Sequence, residues 1–330
     1  RTFRRKKDAE ELSCGFEVVD CPVYFAPLQG YTDAPYRNYF HTYFGGVDAY
    51  YTPFVRLENG NKFRNRDISD IDPLRNSVPI LVPQVIASIP EELRSILCLF
   101  EKQGYTRADL NLGCPFPLLA KRHKGSGILP FPKEVEALLK VFLEFPAIDF
   151  SIKARLGWES ADEIFHLLPL LEKYPVSRVV LHPRLGIQQY KGKTDLKTFS
   201  RFYELCPVPL IYNGDLVTLE DIECIIADYP HLAGVMLGRG LLTDPSLALT
   251  YKSGTKLPDS EFRERLYCFH NALLQYYSSH YQGGDHQVLA KMKTLWEYLC
   301  PDMDRKLRKC ILKSRNLDAY RSYVQEILKK

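Results

Sequence analysis

Ala108-Asp109-Leu110-Asn111-Leu112-Gly113-Cys114-Pro115, followed across a basic loop (Lys121, Arg122, His123, Lys124) by Gly125-Ser126-Gly127, is the stretch from which the rest of the chain reads. A short apolar run ends in an amide, a glycine, a thiol and a proline. Asn111 and Cys114 are poor material for the end of a buried strand, so they point to a site. A small buried cysteine in a core is the plain alternative. Similar runs recur at 23–26, 49–52, 80–84, 150–154, 178–182, 210–212 and 234–237. Helix-like segments alternate with them at 34–44, 90–103, 133–143, 161–173, 196–205 and 219–228. Ser160 with Glu163 reads as a capping box, and Thr218 with Asp221 as a weaker one. Near-continuous hydrophobicity in the strands implies burial on both faces, as in a parallel sheet. Eight strands alternating with helices predict a (β/α)8 TIM barrel. A doubly wound sheet would carry an early Gly-x-Gly-x-x-Gly turn, and none is present.

On that register the unusual residues stand at one rim. Pro27 follows the first strand, Gln84 ends the third, and Asn111 and Cys114 close the fourth. Lys153 ends the fifth, His182 the sixth, Asn213 the seventh, and Gly238 follows the eighth. The C-terminal rim is where barrel enzymes assemble their active sites, so the pattern predicts an enzyme. Past residue 250 the strand pattern stops and helical periods at 262–277, 287–299 and 304–314 take over. The expected organisation is a barrel over 21–250 and a small all-helical C-terminal domain over 255–330. Residues 1–20 are set aside as an N-terminal extension or an expression remnant.

Composition narrows the classes. With 45% hydrophobic and 25% charged residues, the 330-residue chain is of ordinary globular kind. Nine cysteines without a Cys-x-x-Cys pair fit neither a disulfide framework nor a zinc site; no metal is expected, and a reducing cytoplasm is. No apolar run approaches the roughly 18 residues of a membrane span, so no membrane association is expected. The net charge of +4 is unevenly placed: residues 251–330 hold 15 Lys+Arg against 9 Asp+Glu, and the rest 29 against 31. A basic tail suits a polyanionic partner, with a solvated helical surface as the alternative.

Two glycine turns, Asn213-Gly214-Asp215 and Gly238-Arg239-Gly240, occupy the usual phosphate place of such barrels, where backbone N–H groups and the Arg239 charge face an anion. Plain strand-to-helix turns are the alternative. Lys153 in a buried strand needs either a carboxylate partner or a ligand to offset its desolvation.

The spacing Asn-x-Gly-Cys-Pro, then Leu119 and Gly-Ser, resembles the signature of the tRNA-dihydrouridine synthases. Further segments agree in order: Ala26-Pro27-Leu28-Gln29-Gly30-Tyr31-Thr32-Asp33-Ala34-Pro35-Tyr36-Arg37, Gln84, Lys153-Ala154-Arg155-Leu156-Gly157-Trp158, His182-Pro183-Arg184 with Tyr190-Lys191-Gly192, and both glycine turns. The resemblance implies FMN as cofactor, NADPH as reductant and selected uridines of tRNA as substrate. Pro27, Leu28 and Gln29 would pass under the flavin ring, Gln84 would meet its edge, and Lys153 would lie on its pyrimidine side. His182, Asn213, Gly214, Asp215, Gly238 and Arg239 would hold the remainder of the cofactor. Cys114 would act as general acid on the uracil ring, Asn111 would hold the uracil edge, and Lys121, Arg122, Lys124 and Arg184 would grip neighbouring phosphates. No protein partner is implied, and a monomer is expected. Departures are Leu28-Gln29 where Met-Ala is usual, Tyr36 where Phe is common, and Pro183 where Gly is frequent; the last weakens the assignment of Arg184. Two competing readings are an FMN oxidoreductase of a free pyrimidine, of dihydroorotate type, and a non-catalytic RNA-binding barrel.

Overall fold

A computed structural model describes residues 21–58 and 62–329; the expectation for residues 1–20 lies outside them. Eight parallel strands form a barrel: Val23–Phe25, Ala49–Tyr51, a divided third strand, Arg107–Leu112, Asp149–Gly157, Val176–Leu185, Leu210–Asn213 and Gly234–Leu237. The third strand was expected to be continuous over 80–84, and it is broken. Pro83 has no N–H to give to a ladder, and the strand splits around it into Leu81–Val82 and Gln84–Val85. The first piece pairs with the second strand (Tyr50 opposite Leu81) and the other with the fourth (Gln84 opposite Asp109), so the ring closes through the break. Elsewhere neighbours pair in sequence order, and the eighth strand returns to the first with Leu237 opposite Phe25.

Helices α1 (Ala34–Tyr43), α2 (Asn65–Ile71), α3 (Pro90–Lys102), α4 (Pro117–Ala120) and α5 (Pro132–Val141) surround the first half of the barrel. Then come α6 (Leu168–Lys173), α7 (Leu196–Leu205), α8 (Leu219–Asp228), α9 (Arg239–Thr243) and α10 (Leu247–Ser253). A helix was expected from residue 161, but Glu163–Leu167 is a 3-10 turn and α6 begins only at Leu168. Pro169 removes an amide from its first turn. The expected ranking of the caps is reversed. Thr218 and Asp221 exchange both bonds (3.1 and 2.8 Å), whereas Glu163 accepts from the Ser160 amide (3.0 Å) while the Ser160 hydroxyl accepts from Asp162.

The tail comprises α11 (Asp259–His280), α12 (Gly284–Tyr298), α13 (Arg305–Lys313) and α14 (Leu317–Lys329), the last not anticipated. Phe269 of α11 meets Tyr36 and Phe44 edge-on at 5.3 and 5.7 Å, so the tail packs on α1 and shares one continuous apolar core with the barrel's outer layer. Inside the barrel, alternate strand residues (Ala26, Tyr51, Val82, Val180, Ile211, Met236) pack together as the period-2 rule requires.

Candidate active site

Above that plug the inward positions turn polar and the barrel opens into a cavity of about 390 Å³. Its lining includes Pro27, Leu28, Gln29, Gln84, Asn111, Cys114, Lys153, His182, Asn213, Gly214, Asp215, Gly238 and Arg239, the rim residues read from strand ends. Lys121, Arg122, Lys124 and Arg184 do not line it.

On the wall formed by strands three to five, a chain of hydrogen bonds leads to the backbone turn that carries Cys114. Asp109, fully buried, accepts from Ser151 Oγ (2.5 Å) and Gln84 Nε2 (2.7 Å). Gln84 Oε1 accepts from Asn111 Nδ2 (2.8 Å), and Asn111 Oδ1 accepts from the amides of Gly113 (3.0 Å) and Cys114 (2.8 Å). Asn111 was expected to hold a substrate edge. Its carbonyl is instead used by the cysteine turn, which leaves one amide hydrogen for the cavity. Burial pushes the Asp109 carboxyl up to about 6, against the pull of Ser151 and Gln84. Burial likewise raises the Cys114 pKa, so at neutral pH Cys114 carries its proton. The turn is tightly made: Gly125 sits at φ +63°, and a Cβ there would fall 2.6 Å from the Cys114 carbonyl oxygen.

Lys153 and Arg155 project from the fifth strand two residues apart, both into the cavity wall. Burial pushes Lys153 down to about 8, with Arg155 adding repulsion and Asp109 opposing it. His182 is held well below its ordinary pKa by burial and by these cations, so it is neutral. Its Nε2 accepts from Arg184 Nη1 at 3.0 Å, which places the ring proton on Nδ1.

At the glycine turns Asp215, at φ +49°, receives both Arg184 (Nη1 at 2.9 Å, and Nη2) and Arg239 (3.1 Å). Arg239 also lies 4.7 Å over the Tyr190 ring. Two guanidinium groups against one carboxylate leave this end of the cavity positive. Arg184 is therefore corrected: it is 2% exposed and spent on Asp215, His182 and Gly192 O, out of reach of a macromolecular phosphate. Lys124 is corrected for the same reason, being buried in a 2.8 Å pair with Glu92. Lys121 and Arg122 stand exposed on the loop outside the cavity.

Asp109, Arg155, Tyr190 and Tyr298 join the site without a role expected for them from the sequence. Asp109 and Arg155 were within reach, each two residues from a rim residue and hence on the same face. Tyr298 comes from α12 and joins the cavity edge beside Tyr31, their rings 5.3 Å apart; no local signal marks it.

The sequence profile of the dihydrouridine synthase (Dus) family matches residues 24–322. The chain is 27% identical to "Probable tRNA-dihydrouridine synthase 1" of Synechocystis sp., over 79% of this chain and 74% of that protein. It is 24% identical to tRNA-dihydrouridine synthase B of Vibrio vulnificus, covering 72% and 74% respectively. It is 28% identical to tRNA-dihydrouridine(16) synthase of Pseudomonas putida, covering 69% and 72%. Among solved structures, a morphinone reductase variant in complex with tetrahydroNAD superposes with a TM-score of 0.51 at 12% identity, over 73% of this chain and 90% of that one. That likeness speaks for the barrel fold alone.

Proposed function

The chain belongs to the dihydrouridine synthase family, and from that premise we propose that it reduces selected uridines of tRNA to 5,6-dihydrouridine with FMN as cofactor and NADPH as reductant. The observation that carries this reading is the Cys114 thiol facing a cavity whose other walls present a half-buried lysine and a positive glycine-turn end.

The residues present fit a flavin mononucleotide. The volume lies within the roughly 300–1,000 Å³ of cofactor pockets. A Cβ on Gly238 would meet protein atoms no closer than 3.4 Å, so packing does not demand glycine there. Its bareness leaves space beside the first-turn amides of α9, which a helix leaves without internal partners. Pro27, Leu28 and Gln29 would pass under the ring, Gln84 would meet its edge, and Lys153 would stand on its pyrimidine side. Asn213, Gly214, Gly238 and Arg239 would hold the phosphate. Asp215 and Arg184 orient the charge there, and neutral His182 offers its Nδ1 proton. When bound, a flavin would be the source of the hydride that carbon 6 of the uracil receives.

Cys114 holds the second hydrogen. Its Sγ proton passes to carbon 5, and the thiolate left behind regains a proton from solvent. A thiol kept above its ordinary pKa suits a donor rather than a nucleophile. The remaining amide hydrogen of Asn111 would meet a base edge. The target base must leave its stack to enter, and the exposed basic residues Arg305, Lys306, Lys309, Lys313 and Arg315 on and after α13 offer charge for the tRNA body. A free pyrimidine would need no such tail. No described helix is long and apolar enough to cross a membrane, and the reading has the enzyme working in the cytoplasm as a monomer.

The test is Cys114→Ala. NADPH should still bleach the bound flavin, while dihydrouridine formation falls by roughly 10²–10⁴-fold, the usual range of a general acid. Near-normal turnover would remove Cys114 from the chemistry, and a colourless wild-type protein would remove the flavin.

A further inference from the structure

The turn that carries Cys114 has two unlike sides. Underneath, Leu119 of α4 forms a small apolar cluster with Phe54 and Ile86, and Cys114 packs against it. Above, Phe116, Pro117 and Leu118 are exposed in succession, Phe116 by 52% and Leu118 by 63%. Three consecutive apolar residues facing water are a fault in a fold unless something covers them. Phe131 stands exposed on the same connection, with the His123 ring stacked on it at 3.9 Å.

This crest cannot hide its apolar side chains by rearranging, because the turn is pinned at several points. The amide and hydroxyl of Ser126 both donate to the Cys114 carbonyl, at 3.1 and 2.9 Å. Lys124 is tied to Glu92 at 2.8 Å and His123 to Glu134 at 2.7 Å. The two cations of the loop that are not paired inward, Lys121 and Arg122, are exposed directly after the crest. A rigid aromatic and aliphatic surface flanked by solvated cations has the chemistry of a stacking platform for unpaired bases joined by phosphates. It adjoins the residue that meets the target base.

We propose that Phe116, supported by Leu118, is the platform on which a nucleobase adjoining the target uridine stacks, with Lys121 and Arg122 on the phosphates beside it. The proposal rests on the tRNA reading above. It assigns to this loop the task of holding the strand open after the target base has left its stack.

The experiment compares the flavin-loaded wild type with Phe116→Ala, Leu118→Ser and the pair Lys121→Gln, Arg122→Gln. The readouts are tRNA affinity as a function of salt and flavin reduction by NADPH. Phe116→Ala should weaken tRNA binding by roughly 5- to 150-fold, the span of one base stacked on an aromatic ring. Its salt slope should be unchanged, because the same phosphates stay neutralised. The charge pair should flatten that slope by about 0.7–0.9 for each phosphate it ceases to neutralise. Flavin reduction should be unaltered in all, since none of these residues lines the cavity. Unchanged affinity in Phe116→Ala beside a wild type that binds would overturn the platform and spare the tRNA reading. A wild type that binds no tRNA would overturn both. A wild-type dimer that Phe116→Ala converts to monomer would show that a second copy covers the crest, and would also overturn the platform.

Discussion

Beneath the cavity Asp109 gathers Ser151 and Gln84, while in the tail Tyr320 of α14 gathers His270 of α11 and Trp296 of α12. The parts are alike: both clusters are buried, and both join elements distant in sequence through short hydrogen bonds. In each, a group that can bond in only one sense fixes the first bond. The Trp296 indole can only donate, so Tyr320 accepts from it (3.0 Å) and passes its own hydrogen to His270 Nε2 (2.7 Å). The His270 proton then sits on Nδ1, facing Asn271 Oδ1 at 3.1 Å. Ionised Asp109 can only accept, which turns the Gln84 amide, hence the Asn111 amide, hence the Cys114 turn. The difference is where each chain of bonds ends. The tail cluster closes on itself and holds three helices together. The barrel cluster runs out to the cavity wall, and the backbone turn that carries Cys114 is its terminus. Hydrogen bonds of equal quality thus serve cohesion in one place and orientation in the other.

Asp109→Leu should break this contrast most visibly. With no acceptor below it, the Gln84 amide is free to reverse, and a displacement at Cys114 of the order of 1 Å costs about 10²-fold in rate. Dihydrouridine formation should drop by about that factor, and Asp109→Asn, which can still accept from Gln84, should recover most of it. Equal loss in both variants would mean that the charge, rather than the bond direction, is what matters. Tyr320→Phe comes next in size. It strands His270 and Trp296, and each buried unsatisfied group costs about 1–3 kcal/mol. Denaturant unfolding should show the loss, with turnover per folded molecule unchanged; a fall in turnover would tie the tail cluster to the site after all.

The smallest effect is in pH dependence, and its sign separates the two clusters. Asp109 is raised in the fold, so its contribution to stability is complete below the ordinary carboxylate pKa of 3.8 and is lost as pH rises through about 6. His270 is lowered by burial to about 4, so its contribution is complete above 6.5 and is lost as pH falls towards 4. Relative to wild type, the melting temperature of Asp109→Asn should therefore improve from pH 4 to 7, and that of His270→Asn from pH 7 to 4. Parallel trends in the two variants would contradict the assignment of these pKa shifts.

Some of the site was open to reading because side-chain direction along a strand is a local property. Gln84, Asn111, Lys153, His182 and Asn213 lie on strands whose interior positions alternate with outward ones, and the same parity reaches Asp109 and Arg155. The Pro83 break is equally local, but an apolar run hides a missing donor. The charges were different. Lys124 and Arg184 looked like surface cations because their partners, Glu92 and Asp215, lie 32 and 31 residues away. Tyr298 reaches the cavity edge from a helix that no rim pattern predicts.

What the chain determined by itself is the order of strands and the chemistry at each strand's end, because periodicity and turn residues act over a few positions. Tertiary structure alone decided which cations are spent inside and which remain for a ligand, that Asn111 supports the thiol's turn, and that the tail completes the mouth. Those outcomes depend on groups far apart in the chain meeting in a dry interior, where a charge or an amide must find a partner, and only the finished fold determines which partner is within reach.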